Sequence, residues 1–349
     1  MKEKVQAFKQ AVMDYHKEHG FSGVIRVTLK DEVICEISVG YADTERKIQF
    51  DQNSMFTLYS MSKPFCAIGL LKLVDRGLVD LDAHPGRYLP EAEGFDSRVT
   101  LRQLLHHTSG LPDFEQNKDF FNLYAPCRPE RLRADVKTIT SYPMYFEPGC
   151  GARYANVNFI IPALIIENVT GLPYEEYMKK EVFEPLGMRT VTVDRQGLQI
   201  PNRVTGYEME EDRIIPVEKS YNWLFGAGDL VGTVDDVYCL NLAIKHKKLL
   251  KAETWEDLLT PSPLNHMGMG CTVTEWHGMR RITHNGGHLG FRTLHVQLPE
   301  DDFDLILLSN SAYAGDSRGV LAEAAYKAFY EEAPTDAREA DVKMDAGYI

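Results

Sequence analysis

The sequence predicts an α+β protein in which one antiparallel sheet is assembled from both ends of the chain and a mostly helical middle packs against it. Three observations carry this reading: a hairpin pattern near the N-terminus, short strands returning after Gly270, and helical patterns with Pro/Gly-rich loops from about Asp80 to Lys251.

Residues 3–18 read as an amphipathic helix stopped by Gly20. "SGVIRVTLKDEVICEISVGYAD" alternates apolar and polar residues on both sides of Lys30-Asp31-Glu32, which is a hairpin signal. An apolar helix is expected from Ser60 to Arg76, closed by Gly77. After Gly270 the strand pattern reappears in "CTVTEW", "RRITH", "RTLHVQLP" and "FDLILLSN", with turns expected at His277-Gly278, Asn285 to Gly290 and Glu300-Asp301. A helix from Gly319 to Tyr330 closes the fold. The expected organisation is a sheet lobe from 1–80 and 270–332, a mostly helical lobe from 81–269, and a polar tail from 333–349. A ligand would sit in the groove between the lobes.

Composition narrows the function classes. The chain has 349 residues, 44% of them hydrophobic, ample for a packed core. A net charge of −13 with dispersed Lys and Arg argues against nucleic-acid or anionic-membrane partners. Charges spread through the first twenty residues and the lack of a run of about eighteen apolar residues point to a cytoplasmic protein. The six cysteines (Cys35, Cys66, Cys127, Cys150, Cys239, Cys271) show no C-x-x-C spacing, so free thiols are expected rather than zinc or disulfides.

The chemistry begins with "LYSMSKPFCAIGLLKLV". On a helix starting near Ser60, Lys63 lies one turn away on the same side, so its amine reaches the Ser60 hydroxyl. Apolar surroundings disfavour the ammonium and make a neutral amine a proton acceptor for the serine. The N–H groups at the start of that helix could hold a developing oxyanion. Alternatively Ser60 or Ser62 caps the helix and Lys63 reaches solvent; a four-residue pattern alone does not choose. In "FEPGCGARYANVNF", Tyr154 could pass a proton and Asn156 could bind a substrate amide or steady the lysine; the bland versions are a core aromatic and a helix N-cap. In "RRITHNGGHLGFRTLHVQLP", His284 is expected at a strand end beside glycines that let a substrate backbone approach. The glycines between His284 and His288 argue against a metal pair, and His106-His107 read as loop support. The aromatic-rich stretch 112–145 is expected to border the cleft.

Three motifs occur in order: S-x-x-K at Ser60 to Lys63, Y-x-N at Tyr154 to Asn156 and H-x-G at His284 to Gly286. Together they resemble the serine beta-lactamase and penicillin-binding-protein superfamily, specifically the class C-like branch that includes esterases and D-stereospecific peptidases. "LRQLLHHTSGLPDF", "FEPG", "GAGDLVGTVDDVYCLNLAI" and "MGMGCTV" extend the resemblance across roughly residues 15–330.

The resemblance implies a five-stranded antiparallel sheet flanked by helices, with an inserted helical subdomain. It implies a serine hydrolase that forms an acyl-enzyme on Ser60, with Lys63 and Tyr154 sharing acid–base roles and Asn156, His284, Gly286 and Gly287 binding substrate. The backbone N–H groups of Ser60 and Gly287 would form the oxyanion hole. No cofactor and no metal are implied, and the partner is a small ester, amide or D-amino-acid peptide. One departure bears on specificity: the superfamily's beta-lactamases and transpeptidases carry K-T-G as the third motif, and here His284 stands in the lysine's place. The expected ranking therefore sets esters and D-amino-acid amides above beta-lactams. The alternatives are a true beta-lactamase, a penicillin-binding DD-carboxypeptidase, or a penicillin-binding sensor that deacylates slowly.

Overall fold

The computed structural model describes residues 1–113, 129–195, 197–217, 224–315 and 317–334. Helix α1 (Lys2–His19) buries Phe8 and Val12 and turns its charged face outward. Strands β1 (Gly23–Leu29) and β2 (Glu32–Val39) form the expected hairpin. Lys30 and Asp31 take φ of 54° and 61°, the two left-handed positions a tight two-residue hairpin turn requires.

After β3 (Phe56–Thr57) the chain makes one 3₁₀ turn, Tyr59–Ser62, and enters α2 (Lys63–Asp75). The helix expected from Ser60 is thus α-helical only from Lys63 onward. The middle of the chain contributes α3 (Leu101–Leu105), α4 (Pro129–Ile139), α5 (Val157–Thr170), α6 (Tyr174–Met178) and, after a π-helical turn, α7 (Glu184–Leu186). It also holds short strands that the sequence did not announce: β4 (Thr192–Val193), the hairpin β5 (Tyr207–Glu210) and β6 (Arg213–Pro216), and β7 (Leu230–Gly232). Helices α8 (Val234–Lys245) and α9 (Ala252–Leu259) complete this part, and α8 starts from a capping box between Thr233 and Asp236.

The C-terminal part supplies β8 (Thr272–Trp276), β9 (Met279–His288), β10 (Phe291–Leu298), β11 (Phe303–Ser309) and α10 (Ser317–Tyr330). The large sheet runs β2-β1-β11-β10-β9-β8, every neighbour antiparallel, so both chain ends build it as expected. It has six strands, one more than the resemblance implies. Strand β9 also outruns its expected end at His284, continuing through Asn285, Gly286 and Gly287 to His288. A second, three-stranded sheet joins β3, β7 and β4.

The sheet separates two apolar cores. On one face Ile25, Val27, Leu305 and Leu307 pack with Phe8 and Val12 of α1 and Leu321, Tyr326 and Phe329 of α10. On the other, Val24, Ile306 and Leu308 meet a larger cluster centred on α2 and α5. Because β11 lies centrally and is covered on both faces, all seven of its residues are buried, which explains its nearly unbroken apolar run. Helix α5 is apolar on every side for the same reason: Val157 to Ile166 are all buried.

The described cysteines, Cys35, Cys66, Cys150, Cys239 and Cys271, are free thiols. Cys127, the segment 114–128 of the aromatic stretch and the tail from 335 lie outside the described residues. Among the described residues no single helix is long and apolar enough to cross a membrane.

The α1/α10 core rests on Phe303, whose ring lies 5.9 Å from that of Phe329 and 5.3 Å from that of Tyr330. Phe303→Ala is expected to cost about 3–5 kcal/mol through lost burial and the cavity left behind. Urea denaturation followed by circular dichroism measures it, and an unchanged midpoint would contradict this packing.

Candidate active site

Ser60 sits in the 3₁₀ turn, partly exposed, and Lys63 opens α2 with none of its surface accessible. Side chains three residues apart eclipse on a 3₁₀ turn, which brings Lys63 Nζ to 3.0 Å from Ser60 Oγ. The turn is entered through Tyr59, a bulky residue at φ 48°, a conformation costing on the order of 1–3 kcal/mol that the surroundings must hold in place. They do so by burial: Tyr59 is 3% exposed and its ring lies 5.6 Å from that of His288 and 6.2 Å from that of Phe291.

Two further oxygens meet the amine. Asn156 Oδ1 lies 3.0 Å from Nζ and the Ala227 carbonyl 2.7 Å. Burial pushes the lysine down to about 7, with Asp113, Cys66 and Asp229 pulling it back up. A neutral amine has two N–H donors and one lone pair. The Ala227 carbonyl can only accept and Asn156 presents its carbonyl oxygen, so both N–H groups are committed. In that form the lone pair is left for the Ser60 hydroxyl, the arrangement a base needs to take that proton; as the ammonium, Nζ donates to Ser60 Oγ instead.

Asp113 fixes the orientation of Asn156. Its Oδ2 accepts from the Asn156 backbone N–H at 2.7 Å and the Asn156 side-chain amide at 3.4 Å, and its Oδ1 accepts from the Val157 N–H at 3.2 Å. The carboxylate therefore caps α5, and the Asn156 side chain makes no cap bond and faces the lysine.

Tyr154 is partly exposed and stands beside the pair: Lys63 Nζ is 4.7 Å from its ring centroid, and the ring stacks on His107 at 4.4 Å. His107 is buried and held well below its usual range, by desolvation first and then by Lys63. Its Nδ1 accepts the Ala155 N–H at 3.2 Å, which clamps the Tyr154–Asn156 strip in place. His107 thus supports a segment far along the chain, where support of the loop directly after it was expected.

Strand β9 forms the opposite wall. Strand β8 pairs with β9 only as far as Thr283, so among the described residues no strand covers the outer edge from His284 to His288. The Tyr59–Ser62 turn approaches there so closely that a Cβ on Gly286 would fall 2.0 Å from the Leu58 carbonyl oxygen. The Thr293 hydroxyl ties the two together, donating to Leu58 O at 3.0 Å. Gly287 is partly exposed, whereas Gly286 and His284 are enclosed and belong to the wall itself. Because a carbonyl only accepts, His284 Nδ1 donates to Asn285 O at 2.6 Å. Desolvation, aided by Lys63, pushes this histidine down to about 3, so it carries no charge at neutral pH.

The structure thus brings together Ser60, Lys63, Tyr154 and Asn156, with β9 alongside. Sequence reasoning gave no role to Asp113, the Ala227 carbonyl or Asp229. Their signal was present in "HTSGLPD" and "GAGDL", where a polar residue closes a glycine-containing turn. Among the described residues no group of three or more metal-ligating side chains occurs.

A family model described as Beta-lactamase matches residues 8–328. Penicillin-binding protein 4* of Bacillus subtilis (strain 168) is 28% identical over 95% of this chain and 77% of its own length. A D-stereospecific amidohydrolase from Streptomyces sp. superposes with a TM-score of 0.78 at 25% identity, covering 94% of this chain and 99% of that one. D-amino acid amidase from Ochrobactrum anthropi SV3, solved with D-phenylalanine, gives 0.78 at 24% identity over 93% and 99%, a likeness of fold.

Removing the cap of α5 tests the geometry. Asp113→Ala strands three N–H donors, two of them at a buried helix start, and is expected to lower stability by about 2–3 kcal/mol. The same change frees Asn156 to turn, so labelling of Ser60 by a fluorophosphonate should slow. Unchanged denaturation midpoint and labelling rate would remove Asp113 from this account.

Proposed function

Starting from a chain that belongs to the beta-lactamase family, we propose that it is a serine hydrolase that cleaves small esters and D-amino-acid amides or peptides through an acyl-enzyme on Ser60. The observation that carries this is the buried Lys63 amine 3.0 Å from the Ser60 hydroxyl, pushed by burial down to about 7, with its other two contacts on acceptors. Ser60 Oγ attacks the substrate carbonyl carbon as its proton passes to Lys63 Nζ. The oxyanion is received by the backbone N–H groups of Ser60 and Gly287. As the tetrahedral intermediate collapses, the leaving amine or alkoxide takes a proton from the Lys63/Tyr154 pair. Water then adds to the acyl ester with the same pair as base, releasing the acid and restoring the serine.

Substrate preference follows from the wall. A neutral, enclosed His284 offers no cation to a beta-lactam carboxylate, which supports amides and esters over beta-lactams. The likeness to a D-stereospecific amidohydrolase supports D-configured substrates. A second reading, a penicillin-binding protein that acylates and deacylates slowly, is supported by the similarity to penicillin-binding protein 4*. Nitrocefin assayed beside p-nitrophenyl esters and D-amino-acid amides decides the order: efficient nitrocefin turnover would reverse it, and a persistent penicillin adduct by intact mass would favour the second reading. We also propose that the protein is cytoplasmic, with small molecules rather than nucleic acid or membrane as its partners.

Ser60→Ala should abolish both fluorophosphonate labelling and turnover, a loss of at least ~10³-fold in kcat/KM. Retained activity, or a label mapping to another residue, would overturn the reading. The pH dependence has a defined sign. Lys63 must be neutral to accept the proton, so kcat/KM should be low in acid and rise as pH climbs through about 7, where the amine loses its charge. A profile flat from pH 5.5 to 8.5 would exclude Lys63 as the base.

A further inference from the structure

We propose that Asp229 is a positioning residue for the Lys63 amine: it latches the turn whose carbonyl receives that amine, and its charge adds to the pull toward the ammonium that burial opposes. The inference rests on the reading of Lys63 as the base and goes beyond it by naming what positions that base.

The latch is visible in the turn leading into β7. The Gly226 N–H donates to Asp229 Oδ2 at 2.8 Å, and the N–H groups of Ala227 and Gly228 both donate to Leu224 O at 2.7 Å. The far side is pinned as well: Asp194 N–H donates to Asp229 O at 2.7 Å, and Leu230 N–H donates to the Ser62 hydroxyl at 3.0 Å. Gly226 adopts φ +70°, and a Cβ there would fall 2.5 Å from Ala163 Cβ, so the turn lies pressed on α5. Between these anchors the Ala227 carbonyl points at Lys63 Nζ, its shortest contact at 2.7 Å. Without the carboxyl the Gly226 N–H loses its acceptor, and the carbonyl one residue on loses its aim.

A charge contribution accompanies the latch, from two buried carboxyls that both act on Lys63. Asp113 accepts hydrogen bonds at both oxygens. Asp229 is 1% exposed, and while Oδ2 takes the Gly226 N–H, its buried Oδ1 has no hydrogen-bond partner. That bare oxygen is where a proton can be taken up. The groups facing the pair are Lys63 and Cys66 from α2, Tyr174 and Glu175 from α6, Asp194 beyond β4, and Asp113, with His107 and His284 near the lysine. Burial above all, with repulsion from Asp194 and Glu175, lifts the Asp229 carboxyl to about 7, the region where Lys63 also titrates. Two coupled groups in that range share protons as a unit. Ionised Asp229 favours the ammonium, and its protonation removes that contribution.

The test is a direct titration of Lys63 in the full chain by carbon-13 NMR of ε-labelled lysine, the signal assigned with Lys63→Met. Asp229→Asn keeps an oxygen for the Gly226 N–H and removes the charge. Its Lys63 midpoint should fall by ~0.5 pH unit or more, and the acid limb of Ser60 labelling by a fluorophosphonate should move the same way. Asp229→Ala, lacking the acceptor too, should label at least about tenfold more slowly at every pH. A midpoint unchanged or raised in folded Asp229→Asn overturns the proposal; should that variant not fold, Asp229→Ser carries the same titration. If wild-type Ser60 is never labelled, the acyl-enzyme reading falls, while the NMR midpoint still decides the role of Asp229.

Discussion

The constraint on which this site depends is the complete burial of one lysine amine. Shifting an ammonium from 10.5 to about 7 corresponds to on the order of 5 kcal/mol between its two protonation states. The dominant cause is desolvation, and desolvation requires apolar bulk on every side. The sequence supplies it with two helices that lack a polar face. α2 is buried from Lys63 through Leu71, and α5 from Val157 through Ile166. Neither helix would be stable in water as an isolated amphipathic element; each exists because the other covers it.

Given that environment, the remaining polar groups have little freedom. An amine in an apolar interior must place its N–H groups on acceptors, and the fold supplies two from different parts of the chain: Asn156 at the start of α5 and Ala227 in the turn before β7. Each acceptor is in turn aimed by a buried carboxyl, Asp113 for the first and Asp229 for the second. The result is an amine whose remaining contact is the Ser60 hydroxyl. The geometry is set by satisfying hydrogen bonds in a low-dielectric interior, and the chemistry follows from what is left over.

This dependence on distant segments explains what was legible in the sequence. The α+β class, the hairpin, the sheet built from both ends and the Ser60/Lys63 relation all rest on local patterns, and these survive in the fold. Local pattern could not show that the Ser60 turn is 3₁₀ rather than α, because that follows from the left-handed backbone of Tyr59, held by contacts with His288 and Phe291 from the far end of the chain. Strands β3, β4 and β7 have two or three residues each, too few to display a period of two. "HNGGH" reads as a turn from its composition, yet it is strand, because the close approach of Leu58 demands glycine at 286. The bland alternative for Asn156, a side-chain cap for α5, does not hold: the capping carboxylate is Asp113, forty-three residues earlier in the chain.

The same interior that neutralises Lys63 also decides what His284 can be. Its imidazole lies fully enclosed, coupled unfavourably to Lys63 and further burdened by the neighbouring buried His295. A permanent cation at that position would sit in the apolar volume that holds Lys63 down, and the two positive charges would depress each other. A protein that buries one amine this deeply therefore gains from an uncharged residue at 284. The absence of a cation at 284 and the lowered Lys63 amine are two consequences of one dry, closely packed wall.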